Sequence, residues 1–296
     1  MNVKVRGLIR LTRWSEYLTW VVPLSAFGSI LALRATGGLP DWRLPLAIVA
    51  NSLVVAYAFM INDIVDAPDD AREEHRKARN PVSCGEISPA EGWIASLLVA
   101  GITLGAFALL GQAAFITGAV TLVISHLYSW KPIRLKALPV LDVISHVLML
   151  STLLFVAGYV SYDPNILSVW PVVLAMTLVS VYGQLYNQLR DYEMDKAAKL
   201  NNTSIVIGAG ASKILMYAAL VGAGAALIYA VVAGIIPLWV VAVPILLSPL
   251  LVLMRNGADS RGTKAVDISG SVQNRVLVIA NVTVSVWIIA LLLRLG

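Results

Sequence analysis

Asn62-Asp63-Ile64-Val65-Asp66-Ala67-Pro68-Asp69-Asp70 closes an almost unbroken apolar run, residues 44–63, and that junction decides how the chain is read. A run of roughly 20 apolar residues is what a helix needs to cross a hydrocarbon core about 30 Å thick. Comparable windows recur at about 15–33, 92–110, 113–130, 140–160, 167–187, 214–233, 236–254 and 275–295, so the chain has nine candidate spans. Of its 296 residues 58% are hydrophobic and 13% charged, with mean hydropathy +0.80; soluble domains run nearer a quarter charged. The expected fold is all-α, a polytopic membrane bundle of nine transmembrane helices forming one domain, residues 1–296. Cys84 is the single cysteine, which excludes an intrachain disulfide framework.

The charge pattern tests the span assignment. With the N-terminus cytoplasmic, 19 of the 22 Lys and Arg residues fall on the cytoplasmic face, and only Arg34, Arg43 and Arg294 fall on the other. A wrong helix count would have mixed the two faces. Net charge +5 would suggest a nucleic-acid partner in a soluble protein; here topology accounts for it, and no nucleic acid is expected. Lys4, Arg6, Arg10 and Arg13 precede Tyr17 to Leu33, which runs on as a span-like segment without a cleavage site, so it is read as a retained first helix. Arg13, Trp14 and Tyr17 at its mouth read most simply as interfacial anchors. The expected location is a multi-pass position in a bacterial or archaeal plasma membrane.

The acids are spaced for one face. Asp63, Asp66 and Asp70 stand at i, i+3 and i+7. A second motif, Asn187-Gln188-Leu189-Arg190-Asp191-Tyr192-Glu193-Met194-Asp195, ends the sixth span and puts Asn187, Asp191 and Asp195 at i, i+4 and i+8. Each motif opens with Asn and four spans separate them, so halves at about 1–130 and 140–296 read as a diverged repeat. Stacked carboxylates repel, and desolvation at a membrane boundary adds to the cost. Mg²⁺ removes both penalties: it takes oxygen ligands and bridges a few carboxylates to substrate phosphates. The expectation is a diphosphate held by Mg²⁺ on Asp63, Asp66, Asp70, Asp191 and Asp195. Pro68 should break or kink the first stripe, which makes Asp70 the weaker ligand and Asp69 its competitor.

A diphosphate carries more charge than its metals neutralise, so basic side chains should converge on it. Loop 2–3 offers Arg72, Arg76, Lys77 and Arg79. Tyr128-Ser129-Trp130-Lys131-Pro132-Ile133-Arg134-Leu135-Lys136 offers three more with a tyrosine hydroxyl. Lys131 and Arg134 are the preferred phosphate ligands, joined by Asn62, Arg72, Arg79, Tyr128, Asn187 and Arg190. Polar groups within apolar spans form the acceptor side: Asp142 and His146, an i, i+4 pair, with Tyr182 and Gln184. Asn51 and Tyr57 line the turns leading to the motifs, and His75 sits in a charged loop as a solvated residue.

The pattern N-D-x-x-D-x-x-x-D at Asn62 to Asp70, the stretch Asn80 to Ser88, the Tyr-Ser-x-x-(Lys/Arg) type loop at Tyr128 to Arg134 and D-x-x-x-D at Asp191 and Asp195 together resemble the UbiA superfamily of intramembrane prenyltransferases. Where many members carry Arg-Pro this chain has Asn80-Pro81, with Arg79 one place earlier. The resemblance implies nine helices around a central cavity, cytoplasmic loops capping a Mg²⁺–diphosphate site, and a lateral opening for an isoprenoid tail. The implied reaction is Mg²⁺-dependent transfer of a prenyl group from a polyprenyl diphosphate to an aromatic or lipid acceptor through an allylic carbocation. An intramembrane terpene cyclase would use the same ionisation. A transporter is disfavoured, because transport sites lie near the bilayer midplane on broken helices and these acids lie at helix ends.

Overall fold

The structure, a computed structural model, describes residues 2–253 and 257–295. The chain starts with α1 (Val3–Leu11), α2 (Trp14–Thr36), α3 (Arg43–Asp70) and the short α4 (Glu74–Arg79). There follow α5 (Pro89–Leu109), α6 (Gln112–Ser129), then α7 (Leu141–Val147) and α8 (Leu153–Val160), which are joined by a single π turn at Leu148–Thr152. The second half contains α9 (Trp170–Arg190), α10 (Tyr192–Ala197), α11 (Thr203–Ile207), α12 (Ala209–Val232), α13 (Leu238–Leu247), α14 (Leu250–Leu253) and α15 (Ile268–Leu292).

Eight helical segments among the described residues are long and apolar enough to cross a membrane: α2, α3, α5, α6, the composite α7–α8, α9 with the 3-10 turn before it, α12 and α15. The expected eighth span, 236–254, is instead the ten-residue α13 followed by a break at Ser248-Pro249. Pro249 lacks the N–H that would continue the ladder, and ten residues rise only about 15 Å. Large apolar side chains such as Ile94, Leu98 and Ile102 on α5, or Val221, Ile228 and Val232 on α12, are well exposed. A soluble protein rarely tolerates such surfaces; in a multi-pass membrane protein they face lipid.

Two close approaches lock the centre. At Gly28 of α2 a Cβ would collide with the Phe155 backbone carbonyl, and at Gly158 of α8 one would collide with the Ser25 carbonyl. Small residues let helix backbones meet in lipid, where packing rather than the hydrophobic effect drives association. Asn51 of α3 ties into the same junction, donating to Ser25 Oγ (2.8 Å) and to the Leu154 carbonyl (2.8 Å), so it is a structural residue.

The motif end of the bundle is knit by a buried polar node. Asp142 of α7, 1% exposed, accepts from Gln188 Nε2 of α9 (2.6 Å), from the Thr203 backbone N–H of α11 (2.8 Å) and from the Thr203 hydroxyl. Gln188 Oε1 in turn accepts from Ser204 N (3.0 Å). A buried carboxylate saturated with donors from two other helices fixes where loop 6–7 lands. The expected Asp142–His146 pair does not form. Asp142 turns to α9 and α11, whereas the His146 ring lies against Tyr128, ring centroids 6.4 Å apart, and its Nδ1 meets no hydrogen-bond partner among the described residues.

Two outcomes follow from this packing. Gly28→Leu should abolish a monodisperse, detergent-stable species, while Gly101→Leu, at a position with open space around it, should not; melting followed by size-exclusion fluorescence compares them. Asp142→Ala strands at least two donors at roughly 1–3 kcal/mol each, so its thermal midpoint should fall clearly in the same assay. A wild-type midpoint would remove the node from the account.

Candidate active site

Both aspartate motifs sit at one end of the bundle, and the first is interleaved with cations from three separate loops. Asp63 at the end of α3 is fully buried, and its carboxylate is clamped by Arg13: Nε reaches Oδ2 at 3.0 Å and Nη2 bonds Oδ1. A lone buried carboxylate would be strongly disfavoured, and a bidentate guanidinium is its most effective match. Arg13 separates α1 from α2 in a left-handed backbone conformation, φ 49°, which few non-glycine residues adopt. That turn drives the guanidinium inward. Arg13, expected as an interfacial anchor, is therefore a site residue.

Asp66 is held from the opposite side. Arg134 Nη2 lies 3.3 Å from Oδ1, and Lys136 Nζ lies 2.5 Å from Oδ2 and 2.8 Å from Asn62 Oδ1. Asn62 Oδ1 also accepts from the Ser129 hydroxyl at 3.1 Å. Arg134, like Arg13, is left-handed, φ 47°, and the reversal it makes carries Lys136 back to the motif. Lys131, preferred beforehand, is exposed and makes no ion pair among the described residues. Lys136 takes the place foreseen for it. Burial pulls the Lys136 ammonium below the ordinary lysine range, and the adjacent Asp66 opposes that shift.

Pro68 does not end the helix: α3 continues to Asp70. Asn80 spans the proline, donating its amide to the Asp63 carbonyl (2.8 Å) and to Asp70 Oδ2 (2.9 Å). Asp70 consequently lines a cavity of about 270 Å³ together with Arg13, Asn62, Asp66, His75, Arg76 and Arg79. Asp69 is exposed and lies 3.9 Å from the still more exposed Arg72; neither lines the cavity, so the expected diphosphate role of Arg72 has no geometric support. Arg79 lines this cavity and its neighbour beside Trp14, and pairs with Glu16 at 2.6 Å. His75 is exposed, as a solvated loop residue should be, and it also joins the rim of this cavity.

The second motif bends. α9 ends at Arg190, Asp191 forms the joint, and α10 begins at Tyr192, so the stripe is carried across by Asp191 N to Asn187 O (3.1 Å) and Asp195 N to Asp191 O (2.9 Å). Arg190 Nε and Nη2 each lie 3.0 Å from an Asp191 oxygen, and Nη1 lies 3.2 Å from the buried Asp259. Its guanidinium is thus committed to carboxylates. Asp195 accepts from Asn202 Nδ2 at 2.8 Å; burial, with the nearby Asp191, raises its carboxyl above the usual range, and Arg76 of loop 2–3 is close enough to oppose this. Tyr128 stands beside His146 and Gln184. The Tyr182 hydroxyl donates to Ser269 Oγ at 2.8 Å, anchoring α15 rather than facing a substrate.

No group of three or more His, Cys, Asp or Glu side chains among the described residues is close enough to hold a metal ion unaided. The donor chemistry nonetheless suits Mg²⁺, which prefers carboxylate oxygens and completes its shell with water and substrate phosphate. Here the carboxylates and the cations already stand in alternation, so a metal–diphosphate complex could pair with both sets.

Comparison with known proteins agrees with this arrangement. Residues 21–269 match the UbiA prenyltransferase family. A digeranylgeranylglyceryl phosphate synthase from Methanopyrus kandleri is 29% identical over 188 residues, 63% of this chain and 66% of that protein, so the match spans just under two thirds of the relative. The fold is that of a UbiA homolog from Archaeoglobus fulgidus bound to GPP and Mg²⁺, with TM-score 0.72, 21% identity, and 98% of this chain and 99% of that chain covered. It is likewise that of an apo UbiA homolog from Aeropyrum pernix K1, with TM-score 0.66, 18% identity, and 91% and 97% covered. The family match runs from within α2 to the start of α15 and contains both aspartate motifs and the basic loops between them: the chain belongs to the UbiA prenyltransferase family.

Proposed function

We propose that the protein transfers a prenyl group from a polyprenyl diphosphate to a phosphate-bearing isoprenoid lipid, with Mg²⁺ as cofactor and the site on the cytoplasmic side of a prokaryotic membrane. The observation that carries this reading is a cavity at the end of the bundle lined by Asp66, Asp70, Arg13 and Arg79, with Arg13 paired behind it to Asp63 and Arg134 and Lys136 paired to Asp66. The lipid acceptor is favoured over an aromatic one by the Methanopyrus kandleri relative, whose name specifies a digeranylgeranylglyceryl phosphate product. The chain acts as one unit whose halves each bring one aspartate motif.

Mg²⁺ supplies Lewis-acid stabilisation of the departing diphosphate when bound. The residues that would hold it are Asp63, Asp66, Asp70, Asp191 and Asp195. Arg79, Arg134 and Lys136 hold the diphosphate oxygens, and because they are positioned before the bond breaks they stabilise the charge that develops on it. The donor's C–O bond breaks, and its electron pair leaves with the diphosphate. Tyr128, whose ring lies 6.4 Å from that of His146 within the bundle, offers an aromatic face that favours an allylic cation without trapping it, and exclusion of water from the bundle interior prevents its quenching. An acceptor hydroxyl oxygen then attacks the cation carbon and releases its proton.

Asp66→Asn and Asp195→Asn should each lower turnover of geranylgeranyl diphosphate by about 100-fold or more, the scale seen when a single charge-stabilising group is lost. Asp69→Asn and Arg72→Gln, which point away from the cavity, should stay within about 3-fold of wild type. Equal effects in both pairs would sink the site assignment. Removing divalent ions with EDTA should abolish turnover, and readdition of Mg²⁺ should restore it. Mass spectrometry of products formed with geranylgeranyl diphosphate, with and without a geranylgeranylglyceryl phosphate acceptor, decides the reaction: an acceptor-dependent ether supports transfer, and a cyclised product made without acceptor refutes it.

A further inference from the structure

A second cavity, of about 230 Å³, opens at the elbow between α1 and α2, beside the exposed Trp14. Arg10, Arg13 and Arg79 line it, with Ser15 and Glu16 from the first turn of α2. Two of these, Arg13 and Arg79, also line the cavity that contains Asp66 and Asp70, so the two spaces share a wall of guanidinium groups. The elbow is firmly held. Leu11 is fully buried, and a Cβ at Gly7 would press against Ile87 and Glu86, so α1 sits tightly on loop 2–3. Arg10 ties that loop down: Nη1 pairs with Glu86 Oε1 (2.5 Å), and Nη2 donates to the Ala78 and Arg79 carbonyls (2.5 and 3.1 Å). The Arg79 backbone is thereby set where its side chain crosses to Glu16 Oε2 at 2.6 Å.

The lining keeps hydrogen-bond donors free. A guanidinium carries five N–H groups. Arg13 directs Nε and Nη2 to Asp63, and Arg79 directs Nη2 to Glu16; among the described residues Arg13 Nη1 and Arg79 Nε and Nη1 have no hydrogen-bond partner. Three arginines and one glutamate give the lining a net positive charge. Asp63 and Glu86 answer two of the arginines from outside it, but the unpartnered N–H groups still suit the oxygens of an anion. The space is several times the roughly 30 Å³ share of one water molecule, ample for a phosphate group. Its position narrows the choice further. The cavity lies where α2, the first span, leaves the membrane, the level at which tryptophan side chains meet lipid headgroups.

We propose that this second cavity is the headgroup site of the acceptor: Arg10, Arg13 and Arg79 receive the phosphate of a phosphate-bearing lipid, while the donor's diphosphate occupies the neighbouring cavity. This rests on the prenyl-transfer reading and deepens it. The shared wall of Arg13 and Arg79 then stands between the two anions and screens their repulsion, which lets the acceptor hydroxyl approach the donor carbon. The acceptor's apolar chain stays in lipid beside α2. An ordinary bilayer phospholipid presents the same phosphate chemistry, and the experiment separates the two sources.

The test uses the full chain in nanodiscs, comparing wild type with Ser15→Asp, Glu16→Gln and Lys4→Gln. An aspartate is compatible with the first turn of a helix, and at position 15 it sets a carboxylate against an incoming phosphate. With geranylgeranyl diphosphate saturating, Ser15→Asp should raise the KM for geranylgeranylglyceryl phosphate about 10-fold or more, while calorimetric binding of pyrophosphate with Mg²⁺ stays within about 3-fold of wild type. Glu16→Gln removes the acid of the lining and should lower the same KM by about 2- to 5-fold, the scale of an exposed ion pair. Lys4→Gln, on α1 but in neither cavity, should change it by less than about 2-fold. The Ser15→Asp effect should vanish with geranylgeranylglycerol, which lacks the phosphate. An unchanged acceptor KM in Ser15→Asp protein of normal melting temperature overturns the proposal, and is the result expected if a bilayer phospholipid fills the cavity. A loss of pyrophosphate affinity as large as the rise in KM also overturns it, by giving the cavity to the donor. In both cases the prenyl-transfer reading stands, because the wild type still forms product. A wild type that neither binds a diphosphate nor forms the acceptor-dependent ether overturns that reading and this proposal with it.

Discussion

A carboxylate buried where the bundle meets its loops must be matched by positive charge, and the motif end of this protein is organised around meeting that demand at Asp63. The side chain has no solvent to fall back on, so leaving it unpaired would cost several kcal/mol. Arg13 meets the demand from a strained left-handed turn between α1 and α2. Fixing Arg13 also fixes the angle at which α1 leaves the bundle, so that Arg10 reaches Glu86 and the Ala78 carbonyl of loop 2–3, each at 2.5 Å. One ion pair therefore sets the first span, the cavity wall and the loop above it in a common register.

The same logic repeats with different hardware. Asp66 draws in loop 4–5 through Arg134 and Lys136, Asp70 holds loop 2–3 through Asn80, and Asp191 shares Arg190 with Asp259 of the loop before α15. Each loop at this end is secured by an aspartate that is also suited to substrate chemistry. Structural and catalytic requirements converge, since a metal–diphosphate complex brings both signs of charge and can engage the acids and bases that hold the loops together. Below this layer the bundle needs little polarity. Its junctions rely on close glycine contacts between α2 and α8 and on the few hydrogen bonds of Asn51 and Asp142.

Much of the architecture could be read locally. An apolar run of span length reports its own environment, and the i, i+3 and i+7 spacing of Asp63, Asp66 and Asp70 reports a shared face, since both depend only on neighbours along one helix. The basic residues were harder. Lys131 and Lys136 look alike in the chain, and what separates them is the left-handed reversal at Arg134, which no periodicity announces. Asp142 and His146 have the spacing of partners, but Asp142 finds better donors on two other helices. The Ser248-Pro249 break could have been foreseen from Pro249 itself, although apolar content alone made 236–254 resemble a full span.

The amino-acid order by itself therefore determined the membrane environment, the number of apolar segments to within one short helix, the gathering of both aspartate motifs with most of the basic residues, and the family. These follow from short-range rules of hydropathy and helical spacing. Only the tertiary structure decided which cation faces which carboxylate, and that Arg13 rather than Arg72 lines the cavity. The long-range pairings among them join residues 50 to 87 positions apart. Their selection depends on backbone reversals and on the energetic need to neutralise each buried charge in place.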